Sequence, residues 1–454
     1  MWCCRASSAA AVENHAAPLS AEALWEEFGG REVEDVLRSG AVALVDAQYL
    51  VDLAKNGGVL TPRQHLEMTA PGAFLTLEEL KAATNDEARF LRIVCVSHCW
   101  LQPDHPDPRS HNLHALARAL RLLIEDEGTH ERIAYGGKWG VFLDFCSLHQ
   151  RCRGPDGQPL DRTHTEDYGR DETETTLFRA GLAHLSLLYS HPKIPVLMLS
   201  ALPPGYPEGY TVPEGANVHA YAGRGWCFCE FSWAMLVKPT AITWDLGASG
   251  GGETDFGALQ HACAPGRKPP LLPDAFAAQL EAKAFTNGKE DRPLVVSLYR
   301  EGFEHRLYSA VRLYWRQVGW GRAEAQVAAD VLAAGHAPHL AELYLDGNRL
   351  DDAAICALAE ALCRGTPKLR VLTLDGSAIG DAGGAALAAS LAQLPRIALL
   401  RCSLHMLSSS AAEALCEAAE RNPALQVRDE WPGRNAIDHE VDASHQPRRL
   451  TRRG

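Results

Sequence analysis

Basic side chains are the minority charge in this sequence. Its 44 lysines and arginines face 57 aspartates and glutamates, a formal net charge of -13. A broad nucleic-acid-binding face needs the opposite balance, so no nucleic-acid partner is expected. No run of about 18 apolar residues occurs, so no membrane-spanning helix is expected either. The opening "MWCCRASSAAAVENHAAP" lacks the large apolar residues of a secretory leader. Its second residue is Trp2, where N-myristoylation needs glycine, although Cys3 and Cys4 could be acylated. Thirteen cysteines, an odd count, show neither a disulfide-like spacing nor paired C-x-x-C modules. Reduced thiols and a cytoplasmic location follow, with no metal and no resident cofactor expected. The G-x-x-x-x-G-K-[ST] pattern is absent, which removes P-loop nucleotide chemistry.

The 454 residues present suffice for two to three domains. Residues 1–18, rich in Ala and Ser, are expected to be disordered. Residues 19–89 read as a helical N-terminal extension. "SAEALWEEF" offers Ser20 as an N-cap, and "DAQYLVDLAKNGG" ends on Gly57 and Gly58, a helix stop signal. From 90 to 320 the pattern alternates between strand and helix. "RIVCVSH" (92–98), "WGVFLDF" (139–145), "IPVLMLS" (194–200) and "TAITWDL" (240–246) are strand-like. "HNLHALARALRLLIED" (111–126), "TLFRAGLAHLSLLYS" (176–190) and a segment from Trp226 to Val237 have helical spacing. Repeated β-α units predict an α/β fold with a parallel sheet covered on both faces. "DAFAAQLEAKAF" and "PLVVSLYREGFEHRLYSAVRLYWRQV" read as two further helices of that layer.

The texture changes over 325–430. "LAELYLDGNRLDDAAICALAEAL" starts at Leu340 and "LRVLTLDGSAIGDAGGAALAASL" at Leu369. Leu343 corresponds to Leu372, Leu345 to Leu374, and Asn348 to Ser377, at a spacing of 29 residues. A poorer copy, "LPRIALLRCSL", begins at Leu394 with Cys402 at the Asn position. This is the leucine-rich repeat pattern, and its period resembles the ribonuclease-inhibitor class. A short C-terminal α/β solenoid is expected, with the Asn side chain satisfying backbone groups where the chain turns. Such repeats present a protein-recognition surface. Residues 431–454 form a tail ending in the basic "QPRRLTRRG".

One residue stands out. In "GRGWCFCEFSWAMLV" (223–237), Glu230 is the only ionised side chain from Trp226 onward. Trp226 at i-4 and Trp233 at i+3 share its helix face. A carboxylate among apolar neighbours must be paired or neutralised. It either meets a cation such as Arg224 or the helix dipole, or it marks a functional site. Ser97, His98 and Trp100 follow the first strand, and Asp144 ends the second. Ligands of open parallel sheets bind beyond those carboxyl ends.

Four motifs occur in a familiar order: "VSHCW" (96–100), "FLDFCSLHQ" (142–150), "LFRAGLAHLSLLYS" (177–190) and "RGWCFCEF" (224–231). They resemble the HET domain of heterokaryon-incompatibility proteins, with its Ser-Tyr-x-Trp, Ile-Asp-x-x-Cys-Ile-Asn-Gln and Arg-x-Trp-x-x-x-Glu motifs. HET domains are related to TIR domains, whose plant members carry Trp-Cys-x-x-Glu-Leu around the catalytic glutamate. Trp226, Cys227, Glu230 and Phe231 match that pattern, with Phe in place of Leu. The likeness spans about residues 90–246. His98 replaces the motif's Tyr, and Ser147, Leu148, His149 and Gln150 stand where Cys-Ile-Asn-Gln is usual. The resemblance implies a flavodoxin-like sheet and cleavage of NAD, as substrate, at the nicotinamide-ribose bond. It makes Glu230 catalytic, with Ser97, His98, Trp100, Asp144 and Trp226 binding substrate. It also implies self-association through the loop after the second strand, which is lengthened here.

Other readings compete. "CSLHQRC" places Cys146, His149 and Cys152 at a spacing that zinc accepts, with Cys95 and Cys99 near the end of the first strand. Cys227 with His98 would make a thiol nucleophile. A TIR/HET-like domain joined to leucine-rich repeats also suits a non-catalytic scaffold. In an enzyme Glu230 faces an open pocket; in a scaffold it lies buried against Arg or Lys.

Overall fold

The computed structural model describes residues 19–84, 90–128, 135–151, 169–214, 216–264, 266–286, 288–404 and 407–428. The expected disorder of 1–18, the thiols of Cys3, Cys4 and Cys152, and the basic tail 431–454 lie outside these residues. Among the described residues the fold is mixed α/β, built on two parallel-rich sheets.

The first sheet holds β1 (Leu44–Asp46), β2 (Phe74–Leu75), β3 (Ile93–His98), β4 (Gly140–Phe142), β5 (Val196–Leu199) and β6 (Thr243–Asp245). They run in the order β2-β1-β4-β3-β5-β6. The last four pair in parallel, with Cys95 opposite Phe142 on one side and Val196 on the other. Every residue of β3 is buried, as a strand covered on both faces requires. Ile93 and Cys95 pack into one apolar layer with Trp233. Val94 and Val96 pack into the other, with Leu116, Leu120 and Phe256. Strand periodicity therefore turns Ser97 toward the helix that carries Glu230.

The segment 19–89 is more than a helical extension. Ser20 caps Ala21–Glu27 as expected, accepting from the Ala23 N–H at 3.2 Å. The segment also supplies β1 and β2, and β1 pairs antiparallel with β4. These strands are two or three residues long, too short to show an alternation. Two other expectations change. The strand expected to run to Phe145 stops at Phe142, because Asp144 starts a short helix, Asp144–Ser147. The helix expected over 176–190 begins earlier, at a capping box between Asp171 and Glu174, and breaks at His184.

The second sheet holds β7 (Arg312–Tyr314), β8 (Glu342–Tyr344), β9 (Val371–Thr373), β10 (Leu399–Arg401) and β11 (Gln426–Arg428), all parallel and in chain order. Leu343 lies opposite Leu372 and Leu372 opposite Leu400, so the spaced leucines of the sequence stack. A helix follows each of the first four strands. β7 lies where the sequence suggested one continuous helix. That helix, Gly288–Ser309, ends first, and Leu313 and Trp315 then alternate inward while Arg312 faces out.

Asn348 holds the turn after β8. Its Nδ2 donates to Trp315 O at 2.7 Å and Leu345 O at 2.8 Å, and its Oδ1 accepts from the Val318 and Trp320 N–H groups. One apolar core runs through both sheets, from Leu44 to Val427. Removing the Asn348 side chain strands several buried backbone groups. Asn348→Ala should lower the unfolding free energy by about 2–4 kcal/mol in urea titrations. A loss below about 1 kcal/mol would mean that water replaces those bonds.

Candidate functional site

The Glu230 helix, Gly225–Ala234, starts abruptly. No side chain caps it. Its entry is fixed by backbone bonds instead, from Gly225 N to Ala284 O at 2.9 Å and from Ala284 N to Gly223 O at 2.8 Å. A Cβ on Gly225 would sit 2.0 Å from the Phe285 ring, so only glycine admits this approach. At the far end, Arg267 donates to the carbonyls of Met235 and Lys238. The helix is thus held at both ends and has little freedom to turn.

It opens onto a cleft of 340 Å3 beyond the carboxyl ends of β3 and β4. The parallel strands run β4-β3-β5-β6, so chain order reverses direction across the sheet between β3 and β5. A crevice forms at such a switch point. Five of the six residues singled out from sequence line it: His98, Trp100, Asp144, Trp226 and Glu230. Ser97 is fully buried and stands behind Glu230.

Glu230 is 9% exposed. Ser97 Oγ donates to its Oε2 at 2.5 Å, and Tyr221 Oη lies 2.6 Å from Ser97 Oγ. Ser97 has one hydroxyl proton, and with that given to Glu230 the phenol must donate to Ser97. With an ionised carboxyl the chain Tyr221–Ser97–Glu230 runs in that one direction, whereas a protonated carboxyl can donate back to Ser97. Burial pushes the Glu230 carboxyl well above its ordinary range, and the charge of Asp144 adds to the push. The Ser97 and Tyr189 hydroxyls pull the other way. No Arg or Lys pairs with Glu230 among the described residues; Arg224 bonds to backbone carbonyls instead.

Asp144 accepts from Trp100 Nε1 at 2.8 Å, and His98 Nε2 lies 3.5 Å from its other oxygen. Gln150 Nε2 donates to Asp144 O at 3.0 Å, fixing the turn that presents it. Trp226 Nε1 donates to Asp291 at 3.1 Å. Burial raises the Asp291 carboxyl, and this hydrogen bond offsets part of the rise. The cleft thus has acidic corners, aromatic walls and one carboxyl that burial pushes well above its ordinary range.

Sequence reasoning did not find Tyr221, Phe285 or Asp291 as site residues. Tyr221 sits in the long loop after β5, and the other two come from the region of the Gly288–Ser309 helix. No periodicity or motif marks them. The thiol reading fares differently. Cys227 Sγ contacts the backbone oxygen of His98 at 3.4 Å. A hydrogen bond with Cys99, and then burial, raise its thiol well above the usual range. Cys95 is pushed up to about 12 by burial. Among the described residues no group of three or more His, Cys, Asp or Glu is arranged to hold a metal ion. No helix among them is long and apolar enough to cross a membrane.

No protein-family model matches this chain, and no curated protein matches it. Among solved structures, that of leiomodin-1 actin-binding site 2 aligns over 28% of this chain and 78% of its own, at 16% identity and a TM-score of 0.25. A likeness at that level carries no argument about the fold or the site.

The buried carboxyl gives a pH signature. The unfolded chain ionises Glu230 near its ordinary value of 4.5, while the folded chain keeps the proton to higher pH. Its contribution to stability is fully present below that value and is lost as pH rises toward the folded pKa. Glu230→Gln escapes this loss. Its stability relative to wild type should climb as pH rises above about 5, by at most about 1.4 kcal/mol per pH unit. A flat difference in melts across that range would mean that the carboxyl titrates normally.

Proposed function

We propose that the cleft takes NAD and that Glu230 assists cleavage of its nicotinamide-ribose bond, in a TIR/HET-like signalling or defence-type protein. The observation that carries this reading is a glutamate on the wall of an open cleft with no cation against it. The strand order β4-β3-β5-β6 supports a flavodoxin-like sheet, whose ligands sit where this cleft lies. The stacked leucines of β8 to β10, with the Asn348 bonds, support a short leucine-rich repeat solenoid with a protein-recognition surface.

Cleavage breaks the bond from ribose C1′ to the nicotinamide nitrogen. The electron pair stays on that nitrogen, which loses its positive charge, and the charge moves to the ribose. Water adds to C1′ and gives up a proton. An ionised carboxylate near the ribose stabilises the developing cation and accepts from the ribose hydroxyls. Burial raises the Glu230 carboxyl well above its ordinary range. The pyridinium cation of NAD favours the ionised form, so the substrate itself draws out the carboxylate. Trp226 packs against the substrate, while His98, Trp100 and Asp144 form the facing wall. Ser97 orients the carboxyl from behind.

A second reading, a non-catalytic scaffold, is favoured by the open face of the second sheet. Tyr314 and Tyr344 stack there at 4.9 Å, and the Arg316 guanidinium lies 5.8 Å from the Tyr314 ring. Aromatic residues and arginine are enriched in protein interfaces.

Nicotinamide release from NAD separates the two. Wild-type protein at high concentration, where self-association is favoured, should release it. Glu230→Ala and Glu230→Gln should be slower by at least about 100-fold. Equal rates in all three would remove Glu230 from the chemistry, and no release by wild type would favour the scaffold.

A further inference from the structure

Arg224 carries a buried charge without a counter-charge. It is 6% exposed and forms no ion pair among the described residues. Its Nε donates to His219 O at 2.7 Å and its Nη1 to Trp100 O at 2.5 Å. Its Nη2 is buried and has no partner. Two neutral carbonyls satisfy donors but leave the charge uncompensated. A buried donor without a partner calls for an explanation.

Arg224 lines the cleft. Arg224 is the only Lys or Arg among the described residues lining it. The acidic residues there have other partners: Asp144 accepts from Trp100, Asp291 from Trp226 and Glu230 from Ser97. Arg224 also stands at the N-terminus of the 10-residue helix Gly225–Ala234, which no side chain caps. Gly225, Trp226 and Cys227 of its first turn line the cleft as well. The dipole and first-turn N–H groups of a helix favour an anion there, phosphate above all.

We propose that Arg224 and the N-terminus of its helix form the anion-recognising end of the cleft, and that the ligand carries a phosphate group against them. This rests on the nucleotide reading of the cleft and names the part of the molecule bound there. Arg224 and Glu230 are six positions apart, about 9 Å along the axis. A ribose held at Glu230 therefore has its 5′-phosphate within reach of Arg224. The diphosphate of a dinucleotide meets that requirement.

The test is calorimetric titration of the full chain with ADP-ribose, which carries the diphosphate, and with nicotinamide riboside, which has no phosphate. Wild type should bind ADP-ribose, and the affinity should fall as salt is raised, because the contact is ionic. Arg224→Gln should weaken ADP-ribose by at least about tenfold and leave nicotinamide riboside unchanged, with Arg224→Lys in between. Thermal melts of each variant establish that it is folded. If Arg224→Gln does not fold, the salt dependence of wild type still decides: equal, flat responses for the two ligands overturn the proposal. So does ADP-ribose binding to folded Arg224→Gln at wild-type affinity, or no ADP-ribose binding by wild type. Arg224-dependent binding without nicotinamide release would support the anion site while removing the cleavage reading. Release with unchanged kinetics in Arg224→Gln would do the reverse.

Discussion

The hydrogen bond from Ser97 to Glu230 joins the centre of the first sheet to the helix that walls the cleft. Each partner is untenable alone. A fully buried hydroxyl on a central strand needs an acceptor, and a carboxyl among tryptophans and cysteines needs a donor. Tyr221 completes the arrangement and brings the long loop after β5 down onto the strand end. Three parts of the chain, distant in sequence, therefore meet at one oxygen. The shape of the cleft depends on that meeting, because His98 and Trp100 continue from Ser97 while Trp226 rises one turn before Glu230.

Buried cations support this frame from outside it. Arg267 is lowered to about 9 by burial, yet it caps the carbonyl end of the Glu230 helix. Its own carbonyl accepts from Trp320 Nε1 at 2.8 Å, at the start of the second sheet's layer of helices. Lys238, fully buried, donates to the carbonyls of His191 and Ile194 just before β5. These side chains hold backbone ends in register rather than neutralise acids, and unlike Arg224 neither lines the cleft.

Much of the site could be read in the sequence because its residues have simple addresses. His98 and Asp144 lie where apolar strand runs end, and Glu230 is a lone charge in a helix with no polar face. Physical rules attach to each of those features. Tyr221, Phe285 and Asp291 have no such address. Phe285 and Asp291 reach the cleft, and Tyr221 reaches Ser97 behind it, through tertiary packing, which leaves no periodic trace. The fold shows the same division. Long elements such as β3 and the helix His111–Ile124 were legible, whereas β1 and β2 were not. β7 was hidden because "SAVRLYWRQV" satisfies a helical spacing and an alternating one equally well. Only the stacking of Leu313 on Leu343 decides between them.

The helix Gly288–Ser309 ends just before β7. Its 22 residues make a rod of about 33 Å. Near one end Asp291 holds Trp226 at the mouth of the cleft, and two residues past the other end β7 begins. A displacement of the second sheet therefore moves the indole that borders the cavity through a strut rather than a tether. The outer face of one sheet and the inner wall of the other are mechanically the same part.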